Sequence, residues 1–231
     1  MIGRPRIHHR RTDSTNERAK ALAVAGAPHG TLVTADEQSA GRGRQGRVWT
    51  APPGRALLAS LVVRRLAGGH ELLPLAAGVA VCEACERAAG VECALKWPND
   101  VWIEGRKVAG ILLEGRPHEG WAVAGIGINV LTAPEEFPEE LRASATSLAA
   151  AGATASVKEV LEALLAALSA RLADAPADVL AAWDARDALR GREVRWEDGQ
   201  GVAAGIAESG ALVVETSEGR VELDAGEVHL R

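Results

Sequence analysis

The amino-acid sequence predicts an α+β fold, in which a mixed β-sheet with helices packed on one side is followed by a small β-barrel. Strand-like and helix-like segments are mixed along the first 189 residues without regular alternation. From Gly191 onward the pattern changes to four short alternating segments separated by glycine turns, which is typical of a small barrel. We therefore predict two domains, residues 1–189 and residues 190–231.

The first part of the chain contains both helix and strand signals. Ser14 and Glu17 have the spacing of a capping box, which predicts that a helix begins in the stretch DSTNERAKALAVAGA. The stretch GTLVTADEQ predicts a strand, and VWTAPPG and RALLASLVVRR predict two more strands around a Pro-Pro-Gly turn. Residues 70–89 have the spacing of a helix.

The next segments complete the larger domain. Residues 92–115 predict two or three short strands, with turns at Pro98-Asn99-Asp100 and at Glu104-Gly105. The stretch GWAVAGIGINV is apolar on both faces in its middle, which indicates a central strand. Two Ala/Leu-rich helices are predicted near residues 156–173 and 177–189.

Charge and hydropathy exclude several classes of protein. A formal net charge of −5 and a pI of about 5.7 argue against a dedicated nucleic-acid-binding domain. No apolar run is long enough to span a membrane, and no apolar stretch follows the basic N-terminus as in a secretory signal. Cys82 and Cys85 lack the second ligand pair of a zinc site, so with Cys93 they are expected to be reduced thiols of a cytoplasmic protein.

The positive charge is concentrated near the N-terminus. Residues 1–50 contain nine Lys/Arg against four Asp/Glu, a distribution that suits a phosphate-bearing ligand or an acidic partner. Only four of the 26 cationic side chains are lysines, and the chain has only three asparagines. Because the sequence otherwise prefers arginine, each remaining lysine or asparagine is a candidate for a specific role.

Two stretches contain candidate residues for binding phosphate. In GRGRQGR, residues 41–47, glycines let backbone N–H groups approach a ligand and arginines offer forks for phosphate or carboxylate. An RNA-binding segment or a solvated turn is an open alternative for this loop. In Lys96-Trp97-Pro98-Asn99-Asp100 the carboxylate suits Mg²⁺ beside a phosphate, although an ordinary turn uses the same residues.

Two further stretches lie in predicted strands. Lys107 enters an apolar strand and Gly110 leaves space above the sheet, so the lysine either meets a ligand carboxylate or is a surface lysine with a buried stem. In GIGIN the glycines suit close packing, whereas Asn129 favours a function. The histidines lie outside these stretches, which favours attack by a substrate carboxylate on a nucleotide phosphate over hydrolysis with a histidine base.

Taken in order, these stretches resemble the biotin protein ligases over nearly the whole chain. The resemblance rests on Ser14-Thr15-Asn16, Gln38, GRGRQGR-x-W, KWPND, GRKVAGILLE, GIGIN and the terminal GEVHLR. It implies an SH3-like C-terminal domain and a reaction in which biotin and Mg·ATP form biotinyl-5′-AMP. A lysine of a biotin carboxyl carrier domain then accepts the biotin. About ten residues precede the pattern, so we expect no helix-turn-helix and no DNA binding, whereas a homodimer through the sheet is permitted.

The resemblance also implies roles for individual residues. The implied biotin-binding residues are Ser14, Thr15, Gln38, Gly41, Arg42, Lys107 and Gly110. The implied ATP- and adenylate-binding residues are Arg42, Arg44, Arg47, Trp49, Asn99 and Asn129. Lys107 and Arg44 are the implied catalytic residues, and Asp100 is the implied metal ligand. The arginine loop is expected to be disordered without ligand and to become ordered over the adenylate.

Two alternatives are open at this point. A lipoate-protein ligase would share the adenylate chemistry, although GRGR-x-GR is not expected in it. An RNA-binding module would use the arginine loop, ignore biotin and bind with a steep dependence on salt.

Overall fold

The computed structural model describes residues 1–64 and 70–230, and this part of the chain forms two β-sheets and four α-helices. The strands of the first sheet are β1 (Arg6–His9), β2 (Leu32–Ala35), β3 (Ala56–Arg64), β4 (Ala94–Lys96), β5 (Asp100–Ile103), β6 (Arg106–Arg116) and β7 (Trp121–Asn129). Their order is β1-β2-β3-β7-β6-β5-β4, and only β1 and β2 pair in parallel. The helices are α1 (Thr15–Val24), α2 (Leu73–Ala89), α3 (Val157–Arg171) and α4 (Pro176–Asp184).

The two faces of this sheet have different side chains because successive residues of a strand point to opposite faces. One face carries large apolar residues of β3, β6 and β7, which form the main core with α2, α3 and α4. The other face carries small or polar residues at its centre, among them Ser60 opposite Gly125 and Gly110 opposite Gly127. A shallow space therefore forms over the middle of this second face.

Helix α1 packs on the second face, beside that space. Ala19 and Ala23 of α1 form a separate buried cluster with Val33, Val62 and other side chains of β2, β3 and β7. The predicted mixed sheet and its central strand β7 are thus confirmed. The helices, however, do not all lie on one side, since α1 lies opposite the other three. The alternation of β3 explains this, because Leu61 and Val62 point to different cores.

The second sheet lies at the C-terminus and packs against the first domain. Its strands are β8 (Glu193–Trp196), β9 (Gly199–Ile206), β10 (Leu212–Thr216), β11 (Gly219–Leu223) and β12 (His229–Leu230). Val194, Leu212 and Val228 belong to the main core, and the Trp97 indole donates a 3.0 Å hydrogen bond to the Gly210 carbonyl. The strand order is β11-β10-β9-β8-β12, and the described pairings do not join β11 to β12. Backbone hydrogen bonds therefore do not close the predicted barrel.

Several local predictions differ from the structure. The predicted capping box is not formed: the Ser14 side chain makes no capping hydrogen bond, and the Ser14 N–H donates to Asp13 Oδ1 at 2.7 Å. The Glu17 carboxylate pairs with Lys20 and Arg42. VWTAPPG is not a strand, since only Val48 forms an isolated bridge, with Arg42. β1 was not predicted. Of the predicted strand RALLASLVVRR, the last residue lies outside the described residues.

Helix α4 ends five residues before its predicted end at position 189, because the next residues pair with β4. Leu95 N–H donates to the Arg186 carbonyl, and Ala188 N–H donates back to the Leu95 carbonyl. Asp187 lies between them, with Oδ1 accepting from the Leu189 N–H at 2.8 Å. Its Oδ2 is buried and has no hydrogen-bond partner among the described residues.

Asp187→Asn is expected to stabilise the protein at neutral pH. Burial raises the pKa of the Asp187 carboxyl, so the folded state binds its proton more tightly than the unfolded state does. Ionisation of the Asp187 carboxyl therefore lowers the free energy of unfolding as the pH rises. An amide does not ionise, and its oxygen keeps the hydrogen bond from the Leu189 N–H. We expect a gain of about 1 kcal/mol at pH 7, or ~2–4 °C in Tm. The gain should disappear towards pH 3.8. Thermal unfolding across this pH range tests it, and a lower Tm of the variant at pH 7 contradicts it.

Candidate active site

A cleft of about 570 Å³ lies over the second face of the large sheet. Its floor is formed by glycines at alternate positions of β6 and β7, namely Gly110, Gly125 and Gly127. A Cβ atom at Gly125 would lie 2.1 Å from the Asn16 side-chain oxygen, and one at Gly127 would lie 2.5 Å from the Trp49 ring. Both distances are too short for non-bonded atoms, so glycine is required for these side chains to rest directly on the sheet.

Nearly all the residues that the sequence implied come together in this cleft. It is lined by Ser14, Thr15, Gln38, Arg42, Arg44, Arg47, Trp49, Asn99, Asp100, Lys107, Gly110 and Asn129. Gly41 is the exception, because it lines a smaller pocket at the mouth of the cleft together with Arg42. At Gly41 a Cβ atom would lie 2.3 Å from the Trp49 carbonyl oxygen, so this glycine permits the close approach of the two ends of the arginine loop.

The arginine loop, residues 41–49, is a short hairpin. Gly43 N–H donates to the Arg47 carbonyl at 2.8 Å, and Trp49 N–H donates to the Gly41 carbonyl at 3.1 Å. At the tip, Gln45 and Gly46 have φ values of 54° and 75°, in the left-handed region. Left-handed residues reverse the chain here. The hairpin places its arginines over the cleft.

The three arginines of the loop have different partners. Arg42 pairs with Glu17 and with Glu114, and Arg47 pairs with Glu227 of the C-terminal domain. Arg44, by contrast, has no carboxylate within 4 Å in the described part of the chain, and it donates to Asn99 Oδ1 at 3.3 Å. Arg44 is half-buried, and burial lowers the pKa of its guanidinium, an effect that the charge of Asp100 opposes. Arg44 is thus the arginine whose charge is left for an anionic ligand.

A polar pocket forms one end of the cleft. Gln38 Oε1 accepts from the Thr15 N–H at 2.7 Å and from the Thr15 hydroxyl at 3.0 Å. The Ser60 hydroxyl lies 2.8 Å from Thr15 Oγ1 and donates to Asn16 Oδ1 at 2.6 Å. Thr15, Asn16 and Ser60 are all buried, so these bonds hold the side chains in fixed orientations. We call this hydrogen-bonded group of four residues the polar pocket.

The other end of the cleft carries lysines around one carboxylate. Lys107 Nζ lies 2.6 Å from Asp100 Oδ1 and 5.9 Å from the centroid of the Trp49 ring. Lys96 Nζ lies 5.5 Å from the centroid of the Trp102 ring, and burial lowers the pKa of this lysine, an effect that the charge of Asp100 opposes. The excess of cations over carboxylates makes this end suitable for phosphate groups.

Trp49, Asn99 and Asn129 also line the cleft. The Trp49 indole N–H is buried and has no acceptor among the residues described, which leaves it for an acceptor atom of a ligand. Asn99 donates to the Ile111 carbonyl at 2.8 Å, and Asn129 donates to the Thr146 carbonyl at 3.0 Å. Each asparagine therefore also holds neighbouring backbone in place.

Some residues of the site received no role from the sequence. Ser60 is the one polar residue in the apolar run 56–63 of β3, a signal that the sequence did contain. Glu114 was present in GRKVAGILLE, but only the fold brings it to Asn16. Glu227 and His229 enter the cleft from the C-terminal domain, and no local pattern indicates that.

Gly127→Ala is expected to weaken nucleotide binding about 10-fold, because the new methyl group must displace the Trp49 ring. Calorimetric titration with a non-hydrolysable ATP analogue measures the effect. In a Trp49→Ala background the same change should have little further effect, since the clash is gone. Equal losses in both backgrounds would show that the glycine acts on something other than Trp49.

The chain has the architecture of a nucleotide-dependent ligase: a mixed sheet carries a cleft with a glycine floor, and an arginine loop lies above the cleft. The chain belongs to the biotin/lipoate A/B protein ligase family, which matches residues 9–130. Residues 190–231 match the biotin protein ligase C-terminal domain. The family resemblance drawn from the motifs is thereby confirmed.

Relatives match over the whole chain. It is 37% identical to the bifunctional ligase/repressor BirA of Bacillus subtilis, over 100% of this chain and 75% of that protein. It is 36% identical to the biotin–[acetyl-CoA-carboxylase] ligase of Paracoccus denitrificans, over 94% of this chain and 97% of that protein. The biotin protein ligase of Aquifex aeolicus, solved in complex with biotin and ATP, has a TM-score of 0.84 at 34% identity, with 99% of each chain covered. None of the described helices has the length and hydropathy needed to cross a membrane.

Proposed function

We propose that this protein is a biotin protein ligase, which activates biotin with Mg·ATP to biotinyl-5′-AMP and transfers the biotin to a lysine of a biotin carboxyl carrier domain. The observation that carries the proposal is the composition of one cleft. A neutral polar pocket, an ion-paired lysine and an arginine with no carboxylate within 4 Å among the described residues border the same cleft. The relatives and the solved structure, which are named as ligases of this kind, support it.

The geometry suits the first step. The polar pocket has fixed donors and acceptors for a ureido ring, and Lys107 lies where the carboxylate at the end of the biotin tail would reach. That carboxylate attacks the α-phosphorus of ATP, a new carboxyl–phosphate bond forms, and pyrophosphate leaves. Lys107 and Arg44 would attract both reacting groups and offset the charge that develops between them.

The predicted magnesium site fits a metal ion that is held mainly through the nucleotide. Asp100 and Glu227 are the two carboxylates that line the cleft, and Asp100 lies among the cations at the phosphate end. Mg²⁺ is commonly bound by one or two carboxylates together with substrate phosphates and water. When bound there, it would offset the charge of the departing pyrophosphate.

The arginine loop would protect the product of the first step. A mixed anhydride of a carboxylate and a phosphate hydrolyses readily, so the site must exclude water until the acceptor lysine arrives. The hairpin already covers the cleft, and Arg47 ties it to Glu227 in the segment 190–231, which we propose as a second domain. Opening of the loop would then admit the lysine of the carrier domain.

Pyrophosphate release from ATP tests the proposal. We expect release in the presence of biotin, at about one equivalent per protein without an acceptor, and only background release with lipoate or with no acid. Calorimetry should show biotin binding at micromolar concentrations or below. Release with lipoate alone would favour a lipoate ligase, and binding of RNA with no response to biotin would favour the RNA-binding alternative.

A further inference from the structure

Glu114 is a carboxylate that contacts two different parts of the site. It lies near the end of β6, and its side chain is only 19% exposed. One oxygen, Oε2, accepts from the Asn16 amide at 2.9 Å. The other, Oε1, lies 3.1 Å from Lys20 Nζ and 3.3 Å from an Arg42 guanidinium nitrogen. A largely buried carboxylate is stable only when paired in this way.

The position of Glu114 follows from the alternation of β6. Gly110, Leu112 and Glu114 share one face of β6; Gly110 and Leu112 line the cleft, and Glu114 lies two residues further along the strand. The polar pocket lies on one side of its carboxylate, and the arginine loop lies on the other side. The same side chain therefore contacts the two elements that the proposed reaction must coordinate.

Through Asn16, Glu114 determines the direction of hydrogen bonds in the polar pocket. An ionised carboxylate can only accept, so it holds the NH₂ group of Asn16 towards itself at 2.9 Å, with the Leu112 carbonyl as a second, longer acceptor at 3.5 Å, and the amide oxygen turns towards Ser60. The Ser60 hydroxyl has one proton, which it gives to this oxygen at 2.6 Å. Ser60 then has no proton left for Thr15 Oγ1 at 2.8 Å, so the single Thr15 hydroxyl proton has two alternative acceptors, Ser60 Oγ and Gln38 Oε1. If the Asn16 amide were turned the other way, its NH₂ group would donate to the Ser60 oxygen, and the Ser60 hydroxyl would donate to Thr15 instead.

We propose that Glu114 is a positioning residue that couples the polar pocket to the arginine loop, so that occupation of the pocket by biotin favours the closed loop. The inference rests on the proposed function, because the pocket is taken as the site of the biotin ring. A ligand that fixes Thr15 also fixes Asn16 and Glu114, and Glu114 then holds Arg42 at the base of the loop. Such coupling is reciprocal, so a closed loop also favours biotin.

Glu17 provides a matched control. It contacts the same two cations, with Oε1 2.8 Å from Lys20 Nζ and also paired with Arg42. The bond to Lys20, followed by that to Arg42, lowers the pKa of Glu17. Its described contacts do not include Asn16, however. Replacing Glu17 removes the same charge from the cluster without changing the orientation of the amide.

The experiment compares Glu114→Gln with Glu17→Gln in the full chain, using calorimetry with biotin and cleavage of the loop by trypsin. The arginines of the loop make it a substrate for trypsin when it is open. We expect Glu114→Gln to weaken biotin about 10-fold or more, and Glu17→Gln to weaken it less than about 3-fold. Saturating biotin should slow cleavage in the wild type and in Glu17→Gln but not in Glu114→Gln. The KM for biotin should rise while kcat changes little.

The outcomes separate this inference from the proposed function. If the wild type binds no biotin, the proposed function fails. If the wild type binds biotin and the two variants behave alike, the coupling through Glu114 is wrong. Ser60→Ala interrupts the same chain of hydrogen bonds at another point and carries the test if Glu114→Gln does not fold. Full protection of its loop by saturating biotin would likewise overturn the inference.

Discussion

Lys107→Ala is expected to reduce the formation of biotinyl-5′-AMP at least about 100-fold while the fold stays intact. Lys107 lies directly over Gly110 of the cleft floor, with Nζ 3.2 Å from the position that a Gly110 Cβ would occupy. Both reacting groups of the first step are anions, and without this charge they repel each other in a partly buried site. The measurement is single-turnover formation of the adenylate, with circular dichroism to verify the fold.

Lys107→Ala also removes the ion-pair partner of Asp100, whose Oδ1 lies 2.6 Å from Lys107 Nζ. This second effect needs its own control. Lys107→Gln keeps an N–H donor for Asp100 and removes only the positive charge, and it should be as inactive as Lys107→Ala if the charge of the lysine acts on the substrates. Lys158→Ala, at an exposed lysine of α3, controls for the loss of a lysine in general. Activity within about 3-fold of the wild type in either Lys107 variant would refute its role.

The strands and helices were predictable where local patterns determine them. β7 is apolar on both faces and is the central strand, as expected from GWAVAGIGINV. The termination of α4 at Asp184 was not predictable, since it results from pairing of the following residues with β4, far away in the sequence. The capping box predicted at Ser14 and Glu17 is absent for a partly different reason, since Glu17 pairs with Lys20 of its own helix as well as with the distant Arg42.

The site was predictable in its members but not in its connections. Unusual residues in apolar or glycine-rich stretches, such as Lys107 and Asn99, indicated where ligands would bind, and they line one cleft. Which arginine of the loop is unpaired could not be derived from GRGRQGR, because the partners Glu114 and Glu227 come from β6 and from the C-terminal domain. The roles of these residues in binding and catalysis stay predictions, which the variants of Lys107 and Arg44 test for those two residues.

Arg44→Gly is expected to let the adenylate leave the site about 10–100-fold faster, with modification of bystander lysines as the consequence. Arg42 and Arg47 are paired with carboxylates of the protein, whereas Arg44 has no carboxylate within 4 Å among the described residues. Arg44 donates to Asn99, and the charge of Asp100 acts on it from further away. Its charge is therefore the one that a phosphate group of the adenylate would pair with. The measurements are the half-life of the bound adenylate after rapid filtration and the biotinylation of an unrelated protein.

Gln45→Gly separates the charge of Arg44 from the flexibility that a new glycine introduces. Gln45 is the neighbouring residue and already has a positive φ of 54°, which glycine adopts without strain. This control should keep the adenylate bound and restrict biotin to the carrier domain. If it releases the adenylate as fast as Arg44→Gly does, retention depends on the stiffness of the hairpin rather than on the charge. If neither variant changes the half-life, the loop does not retain the adenylate, and the solvent must be excluded by the rest of the cleft.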